Sequence, residues 1–143
     1  MERVIKGRAL VAGEAEAEAL VADEPLSFWG GYDQRTGEII DRRHPLSGET
    51  AAARVLALPA SRGSSTTTAV LLEAVKSGKA PAAIVTVAVD YFFSLASIVA
   101  GEMYGKQIPI VAVAPEDFAA LRTGQLIRVC QDGALIVRSG AVV

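Results

Sequence analysis

Groups able to do chemistry concentrate in one run of this sequence, Pro59-Ala60-Ser61-Arg62-Gly63-Ser64-Ser65-Thr66-Thr67-Thr68. The run follows Arg54-Val55-Leu56-Ala57-Leu58, an apolar stretch of strand length. It precedes Thr66 to Ser77, where Leu71, Leu72 and Val75 recur at helical spacing and Gly78 supplies a stop. Such a strand–loop–helix unit puts the loop at the carboxyl edge of a parallel strand, where open α/β sheets bind ligands. The helix start offers unpaired N–H groups and roughly +0.5 of an elementary charge. Arg62 can grip a carboxylate or phosphate with two parallel hydrogen bonds, and Gly63 lets a ligand or another backbone come close. Together these form an anion site with a hydroxyl aimed into it. The plainer reading stands beside it: Ser and Thr are good helix caps, and Arg62 could be solvated. The run is not a P-loop, because no Gly-Lys-Ser/Thr follows, and it is not a nucleophile elbow, because Gly-x-Ser-x-Gly is absent.

Other candidates lie in residues 27 to 50, which hold the only tryptophan and the only histidine. Trp29-Gly30-Gly31 is either a turn with an anchoring aromatic or the wall of a pocket. His44 precedes Pro45; a lone histidine is more often structural or exposed than catalytic, and no second histidine exists to share a metal. Asp33 and Asp41 read as turn residues, and Asp90 as the cap of a following helix. Cys130 alternates with apolar neighbours and reads as a buried, inert thiol. One cysteine excludes an internal disulfide and a multi-cysteine metal site.

Positioning these groups falls to elements legible from periodicity. Val4 to Val11 reads as one β segment, and Ala15 to Val21 as a half-buried strand, although Ala and Glu also favour helix. Residues 27 to 50 show no core face and at most a short strand at Ile39-Ile40-Asp41. Strands at Arg54–Leu58, Ala82–Val89 and Pro109–Val113 alternate with helices at Thr66–Ser77 and Tyr91–Tyr104. A short helix at Pro115–Leu121 follows. Leu126–Cys130 and Ala134–Arg138 flank Gln131-Asp132-Gly133 as a hairpin. The fold class is α/β, a single domain over 1–143 with a central parallel βαβαβ core and an extra β layer from the ends. Apolar residues make up 51% and aromatics only 6%, so the core must be built from small side chains. Fourteen basic and sixteen acidic residues are well mixed, which argues against nucleic-acid binding. No apolar stretch reaches signal-peptide or membrane-spanning length, so a cytoplasmic protein is the expectation.

Ser27-Phe28-Trp29-Gly30-Gly31-Tyr32-Asp33, His44-Pro45-Leu46-Ser47-Gly48, Ser61-Arg62-Gly63-Ser64-Ser65, Ala80-Pro81-Ala82-Ala83-Ile84 and Ile108-Pro109-Ile110-Val111 resemble, in order, the swivelling domain of aconitase X. Each motif is weak alone, but the ordered set covers nearly the whole chain. The resemblance implies a swivelling β/β/α domain. It also implies a hydro-lyase in which a small subunit pairs with a large one that holds an iron–sulfur cluster, leaving this chain without a cofactor. It makes Ser64 the proton acceptor, with Arg62, Gly63, Ser65, Trp29, Gly30 and His44 around a small carboxylate substrate. A metal centre can assist the departing hydroxyl as a Lewis acid, and a serine acts as base only where its oxyanion is stabilised. The implied substrates are cis-3-hydroxy-L-proline, dehydrated to Δ1-pyrroline-2-carboxylate, or phosphorylated mevalonate. Arg42, Arg43 and Arg62 would suit a phosphate, whereas an Ala-rich composition without lysine excess looks more bacterial than archaeal, and since the phosphomevalonate reaction belongs to an archaeal route this puts hydroxyproline first. A non-catalytic anion-binding or regulatory module is the reading from another class.

Overall fold

The computed structural model describes residues 2–62 and 66–138. In chain order these form β1 (Glu2–Lys6), β2 (Arg8–Val11), β3 (Ala15–Val21), β4 (Val55–Ala57), α1 (Thr66–Lys76), β5 (Ala83–Thr86), α2 (Tyr91–Tyr104), β6 (Ile110–Ala112), α3 (Pro115–Ala119), β7 (Leu126–Val129) and β8 (Ala134–Arg138). The strands make one sheet of order β1-β8-β7-β3-β4-β5-β6-β2. The unit β4-α1-β5-α2-β6 is the parallel core expected from the sequence, and β3 joins it parallel to β4. The antiparallel strands β1, β8 and β7 continue from the other side of β3.

Residue size explains how this sheet stacks into layers. Along β4 and its exit, Val55 and Ala57 enter one core while Leu56 and Leu58 enter another. The same alternation separates Ala83 and Val85 from Ile84, and Val111 from Ile110. Small side chains therefore face inward, where they meet Ile127, Val129, Leu135 and Val137 of the antiparallel half across a narrow interior. Large ones face outward onto α1 and α2, with Leu71, Phe93 and Ala96 on the opposing side. Each fully buried Leu or Ile of the outer core contributes about 1.5–3 kcal/mol. The layers are antiparallel β, parallel β and α, so the β-rich ends do supply the second β layer.

The first β segment departs from expectation. Val4 to Val11 is not one strand: it breaks at Gly7, and β1 and β2 lie at the two ends of the strand order, paired with β8 and β6. The sheet thereby nearly closes into a barrel, with Gly7 at the seam. A Cβ there would lie 2.5 Å from Val111 Cγ1 and 2.7 Å from the Gly133 carbonyl oxygen, so only glycine fits.

Residues 27 to 50 also differ from their reading, which found no core face. Phe28, Tyr32, Ile39 and Leu46 are all buried in the outer core, as is Leu26 just before them. Phe28 stacks on Tyr32 at 4.7 Å and meets Phe93 of α2 edge-on at 5.2 Å. The Tyr32 hydroxyl donates to the Lys79 carbonyl at 2.6 Å, and burial pushes its pKa above the usual phenol value. The apolar residues are spaced by turns rather than by a helix or strand period, so no periodic face betrays them. Asp33 and Asp41 are turn residues as expected, accepting from the N–H groups of Arg35 and Arg43.

Candidate functional site

The loop after β4 is tied to two neighbours. The Pro59 carbonyl accepts from Val87 N–H at 3.2 Å, and Arg62 N–H donates to the Leu26 carbonyl at 3.1 Å. Ser61 N–H donates to Asp90 Oδ2 at 2.7 Å. Asp90 is 6% exposed, and its other oxygen caps α2 by accepting from Phe93 N–H at 3.0 Å. The expected cap is therefore also a clamp on the hydroxyl-rich loop, a role that a local sequence pattern cannot show because the partner lies 29 residues away. Thr68 of α1 donates to the Phe92 carbonyl at 3.2 Å, joining the two helix starts. Both helices thus begin side by side at the carboxyl edge of the parallel strands, and α1 carries no acidic side chain in its first turn.

At this edge lies a cleft of about 390 Å³ lined in part by Trp29, Gly30, His44 and Arg62. These are all the expected site residues that the structure describes. Gly63, Ser64 and Ser65 lie outside the described residues. A larger groove of about 580 Å³ surrounds Arg54, at the opposite, amino edge of β4. There Arg54 is already paired with Glu18 at 3.4 Å and Glu49 at 3.7 Å. That groove lacks a free cation and the strand edge where α/β sheets bind ligands, so the smaller cleft is the better candidate.

The four residues play different parts in the cleft. Phe28 and Tyr32 anchor a turn whose tip carries Trp29, 68% exposed, and Gly30, at φ +76°. The anchoring aromatics are therefore Trp29's neighbours, and the indole is left at the rim. A Cβ added at Gly30 would meet nothing within 4 Å, so this glycine serves backbone conformation rather than close packing. Arg62 is exposed and makes no ion pair among the described residues. His44 is 6% exposed, and both ring nitrogens face backbone. Leu46 N–H donates to Nδ1 at 3.1 Å, which leaves the proton on Nε2, 3.2 Å from the Glu24 carbonyl oxygen. His44 therefore staples the cleft wall and has no nitrogen left for a substrate.

Cys130 is half-buried rather than buried, because it sits just past β7 where the hairpin turns. Among the described residues no group of three His, Cys, Asp or Glu side chains could hold a metal. One thiol in the whole chain does not fit an iron–sulfur cluster. No described helix is long and apolar enough to cross a membrane.

The family model of the aconitase X swivel domain matches residues 4–137. The chain belongs to the aconitase X swivel-domain family. It is 49% identical over 110 residues to a cis-3-hydroxy-L-proline dehydratase of Pseudomonas aeruginosa, covering 77% of this chain and 19% of that protein. A cis-3-hydroxy-L-proline dehydratase of Hypocrea jecorina is 40% identical, over 87% of this chain and 21% of its own. The swivel domain thus spans about a fifth of the length of these relatives. It is also 37% identical to the phosphomevalonate dehydratase small subunit of Thermococcus onnurineus, over 92% of this chain and 95% of that one. Aconitase X of Thermococcus kodakaraensis, in its holo form, superimposes at a TM-score of 0.86 with 32% identity, over 96% of this chain and 99% of its own.

Within this swivel domain, Trp29 separates a structural from a binding role. Trp29→Ala removes a mostly exposed ring, so stability should change by no more than about 0.5 kcal/mol. Affinity for substrate or partner should fall. Thermal melting read beside a binding titration checks both; loss of the fold would make Trp29 a core residue.

Proposed function

We propose that this chain is the small module of a heteromeric hydro-lyase that dehydrates cis-3-hydroxy-L-proline to Δ1-pyrroline-2-carboxylate. Dehydration of this kind takes a proton from the carbon beside a carboxylate and expels a hydroxyl. Arg62 holds the carboxylate, and Ser64 accepts the proton. The helix start and Arg62 supply the positive potential a serine oxyanion needs. Asp90 keeps the loop in place, and Trp29 closes the rim. A larger partner chain carries the rest of the site, including the iron–sulfur cluster this chain cannot hold. Closure of the two excludes water from the reaction.

The charge of the cleft carries this choice of substrate. Arg43 and Arg62 line it together with Glu24 and Asp41, two cations against two anions. A zwitterionic amino acid has one carboxylate and one ammonium and matches that balance. A phosphorylated hydroxy acid has up to three negative charges and calls for a cationic excess. The 49% identity to a hydroxyproline dehydratase supports the same reading. Phosphomevalonate dehydration is the second reading, favoured by the presence of two arginines in one cleft and by the match to small subunits of that name. The test is to offer both substrates to the chain assembled with its large partner. Turnover of hydroxyproline at least about tenfold above that of phosphomevalonate, a difference of about 1.4 kcal/mol, is expected. The reverse preference assigns the second substrate.

A further inference from the structure

We infer that the outward face of α2 is a docking surface for the large partner chain of the dehydratase, an inference that rests on the function proposed above. Helix α2 reads YFFSLASIVAGEMY and carries a single formal charge, Glu102. Its inward face is accounted for by Phe93, Ala96, Ser97 and Ala100, all buried. The outward face holds Tyr91, Leu95 and Ile98, at i, i+4 and i+7, and these are 78%, 52% and 48% exposed. Glu102, at i+11, ends the row with the helix's one charge, and Val89 and Met103, also exposed, lie at the two ends of the segment. Five of the eight large hydrophobic residues exposed among the described residues thus lie on this one segment. The neighbouring helix α1 does the opposite: its exposed positions include Glu73 and Lys76. A helix apolar all round belongs to an interior, and an exposed apolar row of this extent marks an interaction site.

Two observations name the occupant. In the hydroxyproline dehydratase relatives the matched segment is about a fifth of the chain, so a domain of this kind is joined there to a body about four times its length, the natural occupant of an uncovered apolar face. The row also begins at Tyr91, one residue beyond Asp90, whose carboxylate holds the Ser61 loop. The apolar row is thus continuous in sequence with the residue that fixes the cleft loop, and a body covering the cleft from that side has Tyr91 within its reach. A membrane surface fits poorly, because α2 has no lysine or arginine to meet lipid headgroups. A second copy of this chain would cover the row but would bring no groups that the cleft lacks.

The experiment uses the chain and the large subunit of the same enzyme, purified separately and mixed. Leu95→Glu/Ile98→Glu is compared with Glu73→Lys/Lys76→Glu on the outward face of α1, with Tyr91→Ala as a milder third variant. All three should melt close to the wild-type chain, since each touches exposed positions. The α2 double variant should bind the large subunit at least about 30-fold more weakly, Tyr91→Ala several-fold more weakly, and the α1 variant as wild type. Unchanged affinity in the α2 variants overturns the docking face while leaving the proposed function standing. A wild-type chain that is dimeric and becomes monomeric on the α2 change, with unaltered affinity for the large subunit, also overturns it and assigns the face to self-association. A wild-type chain with no affinity for the large subunit overturns the functional reading together with the face.

Discussion

Ser64→Ala should lower turnover of the assembled enzyme by about 10²-fold or more, the range for losing a general base. Stability should fall by no more than about 1–2 kcal/mol even if the hydroxyl also caps α1. Affinity for the partner and the iron content of the complex should not change, because neither depends on this oxygen. Ser65→Ala should be milder, which tests the choice between adjacent hydroxyls. Steady-state rates, co-purification and melting of both variants decide the matter. Near-normal turnover by Ser64→Ala in a well-assembled complex would reduce the serine to a cap.

Asp90 should show the second large effect, and two substitutions separate its two jobs. Asp90→Ala removes the acceptor for both Phe93 N–H and Ser61 N–H. Leaving a buried donor unpaired costs about 1–3 kcal/mol, so the isolated chain should lose stability measurably. Asp90→Ser restores a good cap for α2 but is too short to reach Ser61 as well. Melting should therefore recover most of the way while kcat stays about tenfold or more below wild type, because a loop displaced by an ångström loses alignment with the substrate. KM should move less than kcat if the reacting group rather than the binding arginine is displaced. Recovery of rate and stability together in Asp90→Ser would make Asp90 a cap and nothing more.

Much of this was legible in the residues. The parallel core could be read because its strands are buried on both faces and form short apolar runs between helices of ordinary period. The hairpin of β7 and β8 announced itself through Gln131-Asp132-Gly133. Two features were hidden because they depend on contacts distant in sequence. The break at Gly7 is set by Val111 and Gly133, which crowd it from β6 and the hairpin, so Val4 to Val11 looks like one strand until the sheet closes. The packing of Phe28, Tyr32 and Ile39 follows turns held by Asp33 and Gly37, which leave no period to detect.

The site divides in the same way. Arg62, Trp29, Gly30 and His44 were named from residue type and order, and the fold gathers all four around one cleft. What sequence could not supply was their division of labour. The resemblance groups His44 with substrate-binding residues, yet its two nitrogens are spent on Leu46 and Glu24. Asp90 reads as a cap in the sequence, and its second bond appears only when the β4 and β5 loops are brought side by side.

Mixing tests the central claim most directly. The chain and its large partner are purified apart and assayed for hydroxyproline dehydration singly and together, with iron measured in each. Neither alone should turn over substrate; the chain alone should be folded and free of iron; activity should appear on mixing and saturate as the complex forms. Turnover by the isolated chain, or a cluster bound to it without the partner, would contradict a site divided between two chains.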